Sequence, residues 1–263
     1  MSQSWSGLTR IKVSAEGKIL KVVLARPEVR NAFDATTIEE LTGIFRSIGS
    51  DVSAVVLSGE GASFCSGADL SYMQSMAKFS QDENRDDAEK LFEMFRSVRE
   101  CDVPVVVHVH GHAMGGALGI TACADIALAE VGTKFRFSEV RLGILPAVIS
   151  PFVLQKMDSL WARRWMMTGE MFDAEQAQKA GLLHFVGTAD AVRREKEAVV
   201  AAILEAGPEA VRYTKRLLGD IGQSDPTSVR SRVTGAIAER RTSKEGQEGL
   251  QAFLSKREPN WRV

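Results

Sequence analysis

The chain has 263 residues, which suits one larger α/β domain or a core with a helical appendix. Its 44% hydrophobic and 25% charged residues match an ordinary globular protein with material for a sizeable core. A formal net charge of -1 excludes a global field drawing it to nucleic acid or an acidic membrane surface, although a phosphate-bearing ligand needs only a few lysines or arginines.

Cys65, Cys101 and Cys123 have no paired spacing, which speaks against a disulfide framework or zinc knuckle and makes a reducing cytosol the simplest home. Residues 1–10 lack a basic patch followed by an apolar run, so no secretory signal is evident. Residues 103–124 carry no Asp, Glu, Lys or Arg and could span a bilayer on length alone. Pro104, three histidines and the glycines of 111–119 instead predict a buried strand, a glycine turn and a small-residue helix.

In chain order, residues 8–14 and 18–25 predict an opening hairpin around Ala15-Glu16-Gly17. Asp34 stands at an N-cap position ahead of Ile38, Leu41, Phe45 and Ile48, spaced as one face of a helix. A buried strand at 54–58 and a glycine-punctuated loop at 59–69 follow. Residues 82–100 predict a second long helix with Leu91, Phe92, Phe95 and Val98 on one face. Residues 104–109 predict a central strand, 115–123 a short buried helix and 125–129 another strand. This alternation fits a layered α/β core of repeated strand-strand-helix units. After Ser150 the pattern turns helical. Asp173 caps 174–180 with Gly181 as its stop, and helices are predicted at 189–205, 208–218, 226–240 and 244–256.

Two glycine-containing segments follow buried strands: Phe64-Cys65-Ser66-Gly67-Ala68-Asp69-Leu70 and Gly111-His112-Ala113-Met114-Gly115-Gly116-Ala117-Leu118-Gly119. Small residues let a ligand approach the main chain closely. If the second segment opens a helix, its first N–H groups lack internal partners and suit a developing oxyanion. The alternative is that these glycines only allow turns and close packing. Neither segment fits a phosphate-loop or dinucleotide pattern. Glu139, within Phe135-Arg136-Phe137-Ser138-Glu139-Val140-Arg141-Leu142-Gly143, has aromatic and aliphatic neighbours that would raise its pKa and suit a general acid/base. The alternative is a surface carboxylate paired with Arg136 or Arg141.

The two segments, their order and the later glutamate together resemble the enoyl-CoA hydratase/isomerase (crotonase) superfamily. Matching stretches run from Arg26-Pro27-Glu28-Val29-Arg30-Asn31-Ala32 to Gly249-Leu250-Gln251-Ala252-Phe253-Leu254-Ser255-Lys256-Arg257. The resemblance implies a crotonase-like spiral core over 1–196 and a helical trimerisation region over 197–263, assembled as trimers or paired into hexamers. It implies an oxyanion hole from the N–H groups of Ala68 and Gly116, within ligand-binding segments that include Gly67, Asp69 and Gly115. Ser66 and Leu70 would present main-chain atoms to the adenine of coenzyme A, and Glu139 would be the catalytic acid/base. Arg26 or Arg30 would meet the coenzyme A phosphates, and the region of Lys256 and Arg257 would complete a neighbouring subunit's site. Coenzyme A is part of the substrate, and no separate cofactor, metal, membrane or nucleic-acid partner is expected.

One departure bears on the reaction. Two-glutamate hydratases carry a second acid where this chain has Gly119. The run from Glu139 to Val153, with Gly115-Gly116-Ala117-Leu118-Gly119, resembles a bacterial subgroup of methylglutaconyl-CoA and related branched glutaconyl-CoA hydratases that have glycine there. That implies water addition to a branched glutaconyl-type acyl-CoA in leucine or acyclic terpenoid breakdown. A single-glutamate double-bond isomerase is the first alternative, and a non-catalytic coenzyme A- or RNA-binding relative is the second. Among other features, His108, His110 and His112 are expected as core or hydrogen-bonded histidines. Cys65 is expected as a packed residue rather than a nucleophile, Trp161, Trp165, Met166 and Met167 as helix packing or an acyl-pocket wall, and 81–90 as a solvated helix start, the alternative being the border of a ligand mouth.

Overall fold

A tight turn at Gly17 and Lys18 folds β1 (Ile11–Glu16) back on β2 (Ile19–Leu24), with Glu16 opposite Ile19. The structure, a computed structural model, describes residues 5–221 and 226–262. Residues 1–4 of the stretch read for a secretory signal, part of the 226–240 helix's approach at 222–225, and residue 263 lie outside the described residues.

A 3-10 turn (Pro27–Val29) leads to α1 (Ala35–Arg46). The Asp34 carboxylate accepts the Thr37 N–H at 2.8 Å, and Ile38, Leu41 and Phe45 are buried as the spacing predicts. β3 (Ala54–Gly59) follows, then α2 (Leu70–Met76) and α3 (Gln81–Arg99). The stretch 103–124 resolves into β4 (Val105–Val109), β5 (His112–Met114) and α4 (Gly116–Cys123). Among the described residues no helix is long and apolar enough to cross a membrane.

β6 (Ile126–Glu130), β7 (Lys134–Arg136), α5 (Ser150–Lys156), α6 (Ser159–Thr168), β8 (Phe172–Asp173), α7 (Ala174–Lys179) and β9 (Phe185–Gly187) complete the core. The large sheet has the order β1-β2-β3-β4-β6-β9, and a small one the order β5-β7-β8. Every pairing from β2 to β9 in the large sheet is parallel. β4 and β6 each pass the chain on to a strand of the small sheet, β5 and β7. Repetition of that step makes the strand-strand-helix pattern, and the small-sheet strands are the part that sequence periodicity missed, being two or three residues long.

Val105, Val106 and Val107 are fully buried, as expected of a strand covered on both faces. α4 is buried from Ala117 to Cys123, so its small side chains place it inside the core rather than on it. Lys156 Nζ donates to the Thr121 and Ala124 carbonyls at its C-terminal end. α8 (Ala189–Glu205), α9 (Pro208–Ile221), α10 (Pro226–Thr242) and α11 (Lys244–Leu254) form the helical third. α8 runs unbroken across residue 196, so the expected division of the chain falls inside a helix. α9 is tied to the sheet by Lys215, which meets Asp125 at 2.7 Å and the Val103 carbonyl at 2.8 Å.

The three histidines have three separate environments. His108 lies 3.0 Å from Glu130, His110 donates to the Gly61 carbonyl, and His112 lies 3.3 Å from Ser63 Oγ. Among the described residues no group of His, Cys, Asp and Glu could hold a metal ion.

Candidate active site

The fold brings the two glycine segments side by side. Cys65 donates to the His112 carbonyl and accepts from the Met114 N–H, both at 3.1 Å. Three residues on, the Phe33 N–H donates to the Gly67 carbonyl at 2.7 Å and the Asp69 N–H to the Phe33 carbonyl at 2.8 Å. In a parallel bridge the residue between two such bonds turns its own N–H the other way. That residue is Ala68, whose N–H has no intramolecular partner among the described residues.

Gly116 is the first residue of α4, and its N–H is likewise unpartnered among the described residues. Gly115 before it has φ 51° and ψ -120°, a conformation that side chains resist. A Cβ on Gly115 would lie 3.3 Å from Glu139 Oε1, so the carboxylate sits against this turn. Gly67 has φ 90°, and a Cβ there would lie 2.9 Å from the Met114 carbonyl oxygen. The two segments can approach this closely only because both positions lack side chains.

Both free N–H groups and Glu139 belong to one cavity of about 350 Å³. Ser66, Gly67, Ala68 and Leu70 line it from the first segment, and Gly115 and Gly116 from the second. Ser138, Glu139 and the apolar run Leu142, Ile144, Leu145, Pro146, Ala147, Val148 and Ile149 form another wall. Phe33, Ile38, Tyr72, Met73, Met76, Asp87 and Leu91 complete it.

Glu139 opens a 3-10 turn (Glu139–Leu142) that ends at Gly143 in the left-handed region. Its Oε2 is buried with no hydrogen-bond partner among the described residues. Burial raises its pKa above the ordinary carboxylate value, outweighing a hydrogen bond to the backbone that lowers it. Pairing with Arg141, one alternative raised by the sequence, is not formed: Arg141 Nε donates to the Gly169 carbonyl at 2.8 Å. Arg136 does not pair with Glu139 either, and its Nε is buried without a partner.

Several expected ligand residues have other work. Arg26 lies 3.2 Å from Asp34 and 3.0 Å from Asp69, and donates to the Ala32 carbonyl at 2.8 Å. With its side chain only 14% exposed, it ties the loop after β2 to the Ala68 segment and is not available to a phosphate. Asp69 is buried, caps α2 by accepting the Ser71 and Tyr72 N–H groups, and does not line the cavity. Its pKa is lowered, with the Ser71 hydroxyl the largest cause. Gly119 does not line the cavity either, because the space beside it is filled. A Cβ there would lie 2.6 Å from Ile149 Cγ2 and 2.7 Å from Phe95 Cε1. Arg30 is exposed beside the site, its carbonyl accepting the Ser66 N–H at 3.0 Å. Lys256 is exposed just beyond α11 and outside the cavity of its own chain.

Residues 14–263 match the enoyl-CoA hydratase/isomerase family. The chain belongs to that family. It is 28% identical to the short-chain-enoyl-CoA hydratase of Clostridium acetobutylicum over 95% of this chain and 96% of that one. The crotonyl-CoA hydratase of Syntrophomonas wolfei is 27% identical over 95% and 97% respectively. Among solved structures, an enoyl-CoA hydratase from Shewanella pealeana superposes with a TM-score of 0.93 at 34% identity, covering 97% of each chain. Pseudomonas aeruginosa AtuE superposes at 0.94 with 29% identity, covering 97% of this chain and all (100%) of that one. The fold is the crotonase fold.

Within this family member, sequence reading missed Tyr72, Met73 and Met76 as cavity residues. The signal was present: Asp69 as an N-cap, then Leu70, Met73 and Met76 at three-residue spacing. Asp87 lies in the charge-rich stretch for which the sequence offers a solvated helix start or the border of a ligand mouth, and it lines the cavity. Cys65 is fully buried, and burial pushes its thiol up to about 12, which leaves no thiolate for nucleophilic attack. Trp165 stacks on Phe172 at 3.7 Å, so it packs helix against sheet and does not line the cavity.

Proposed function

We propose that this family member adds water to the double bond of an unsaturated acyl-CoA, using the Ala68 and Gly116 N–H groups as an oxyanion hole and Glu139 as its acid/base. The observation that carries this reading is one cavity holding two unpartnered main-chain donors and a carboxylate with an unpartnered oxygen. With the thioester oxygen between the donors, Cβ becomes electrophilic. Glu139 takes a proton from water as the water oxygen bonds to Cβ, and the double-bond electrons move into the enolate. The proton then passes to Cα as the enolate collapses, so the sum is addition of one water molecule. Loss of one such N–H interaction costs about 3 kcal/mol in the barrier, so the donors supply a large share of catalysis. No cofactor is needed beyond the coenzyme A of the substrate.

A second reading rests on the filled space at Gly119. With one acid beside the donors, Glu139 could instead take a proton from C2 of a 3-enoyl thioester and return it to C4 of the resulting dienolate, giving double-bond isomerisation. Incubation with crotonyl-CoA and with 3-hexenoyl-CoA in oxygen-18 water separates the two: label in the product from crotonyl-CoA means hydration, and unlabelled 2-hexenoyl-CoA from the second means isomerisation. Glu139→Gln should abolish turnover while leaving thermal unfolding cooperative.

The branched glutaconyl-type substrate implied by residues 139–153 divides into two demands. The apolar wall from Leu142 to Ile149 suits its hydrocarbon part, whereas among the described residues no Lys, Arg or His lines the cavity to receive its carboxylate. Self-association through the helical third is supported by Leu250, Phe253 and Leu254, with Phe253 81% exposed. That assembly would place the region of Lys256 near a neighbouring subunit.

A further inference from the structure

Resting on the acyl-CoA reading above, we propose that Asp87, held by Tyr72, sets the substrate class at the far end of the cavity: it admits neutral apolar acyl tails and rejects tails bearing a carboxylate. The lining contains two charged side chains, Glu139 and Asp87, and both are acids. The Tyr72 hydroxyl donates to the Asp87 carboxylate, joining α2 to α3 across the cavity wall. Such a bond holds the carboxylate in place as an acceptor and leaves its charge uncompensated. No cation of this chain pairs with Asp87 among the described residues.

The position of Asp87 excludes a second catalytic acid. Asp87, Leu91 and Phe95 follow one another at four-residue spacing on α3, and therefore share a face. Phe95 is the α3 residue that reaches the start of α4, beside Phe33: its Cζ is 3.5 Å from a Cβ placed on Gly116. Two helical turns at 1.5 Å per residue put Asp87 about 12 Å along the axis from that level. Glu139 and the two free N–H groups gather at the Phe95 end, so Asp87 stands where a tail would end and not where water attacks. Among the described residues the strongly anionic nucleotide of coenzyme A has no counter-charge in this cavity, which leaves the interior to the acyl group. Leu91, Met73 and Met76 around the Tyr72–Asp87 pair offer a neutral tail only apolar surface.

Two like charges about 7 Å apart at an intermediate dielectric discriminate on the order of 50-fold against a carboxylated tail. The test uses the full-length, assembled protein with crotonyl-CoA and 3-methylcrotonyl-CoA as neutral substrates and 3-methylglutaconyl-CoA as the carboxylated one. The wild type should favour the neutral set in kcat/KM by at least about 30-fold, and Asp87→Asn should raise the carboxylated-to-neutral ratio at least about tenfold. Tyr72→Phe should keep the preference for neutral tails, because the charge remains. A wild type that prefers 3-methylglutaconyl-CoA, or an Asp87→Asn ratio equal to that of wild type, overturns the proposal. Calorimetric binding of saturated isovaleryl-CoA and glutaryl-CoA reads the same ratio without turnover. Absence of turnover with a preserved binding preference would therefore refute the hydratase reading alone, and equal binding of the two would refute this one.

Discussion

Replacing Gly119 with glutamate would restore by sequence the second acid of the two-glutamate hydratases, and the structure predicts that it fails. The first atom added is already in conflict: a Cβ lies 2.6 Å from Ile149 Cγ2 and 2.7 and 2.9 Å from two carbons of the Phe95 ring. Carbon contacts settle at about 3.5–4.0 Å, so each neighbour must retreat by roughly 1 Å. Phe95 is fully buried, with Phe152 at 5.9 Å between ring centroids, and its tip already meets the Gly116 turn. Overpacking of this kind costs about 1–3 kcal/mol. Gly119→Ala regains about 1 kcal/mol from helix propensity, leaving a net loss of up to about 2 kcal/mol. At about 2–4 °C per kcal/mol for a chain of this size, its Tm should fall by a few degrees. Gly119→Glu adds a carboxylate in a site without a partner and should fall further. Thermal unfolding and hydration rates are measured for both variants alone and in a Phe95→Leu background. Removing the ring should recover at least about 0.5 kcal/mol of the Gly119→Ala penalty through direct coupling. A Gly119→Glu protein with wild-type Tm and faster hydration would show that the position is open, and would refute the reasoning.

Three further outcomes follow from the same geometry. Glu139 must be ionised to take a proton from water, and its pKa is raised, so kcat/KM should fall on the acid side through a limb above the ordinary value of 4.5; a limb at or below it would contradict the burial. The sign for stability is opposite. The folded state holds this proton more tightly than the unfolded chain, so its contribution is present below the unfolded pKa and lost as pH rises through the folded one, and Glu139→Gln should raise Tm at neutral pH. Arg26→Ala breaks a largely buried pairing with Asp34 and Asp69 and should cost about 3–5 kcal/mol, lowering Tm and kcat; an unchanged Tm with a raised KM would restore the phosphate-binding role. Lys156 is lowered to about 8, burial being the largest cause, so the folded state releases its proton first. Wild type should therefore gain stability relative to Lys156→Met between about pH 8 and 10.5, read as the Tm difference at pH 7.5 and 10.

What the sequence disclosed, and what it hid, divides along physical lines. α1, α7 and α8 were legible because an N-cap residue and helical spacing of apolar residues coincide in each, as at Asp34 and Asp173. The two glycine segments were legible from their own residues as places of close backbone approach, and as neighbours only through the family resemblance. Their contact depends on Cys65 bonding to the strand that holds Ala113, nearly fifty residues away, and no local pattern encodes that. Asp69 looks like a site residue because it is charged and adjacent to Ala68, and Arg26 because it is charged and stands where a strand leads into the ligand groove. They prove to be structural for the same reason: a loop that must hold one N–H outward needs its flanks fixed, and a buried ion pair fixes them. Asp87 shows the converse, since a charge in a run of charges carries no sequence mark of facing inward.

The acid missing at Gly119 and the acid present at Asp87 are two consequences of one helix face. Phe95 fills the space beside Gly119, and the same stripe on α3 runs through Leu91 to Asp87. A large aromatic at the α4 end removes the option of a second proton-transfer group and leaves Glu139 alone with the two main-chain donors. A carboxylate at the other end faces the tail. The residues that decide the reaction are therefore largely main chain, while those that select the substrate are side chains of α2 and α3. Substitutions at Asp87 should accordingly move the ratio between substrates, and substitutions around Gly115 and Gly116 should lower the rate with all of them. If Asp87→Asn instead slowed every acyl-CoA to the same degree, the two functions would not be separated along α3, and Asp87 would belong with the catalytic end of the cavity.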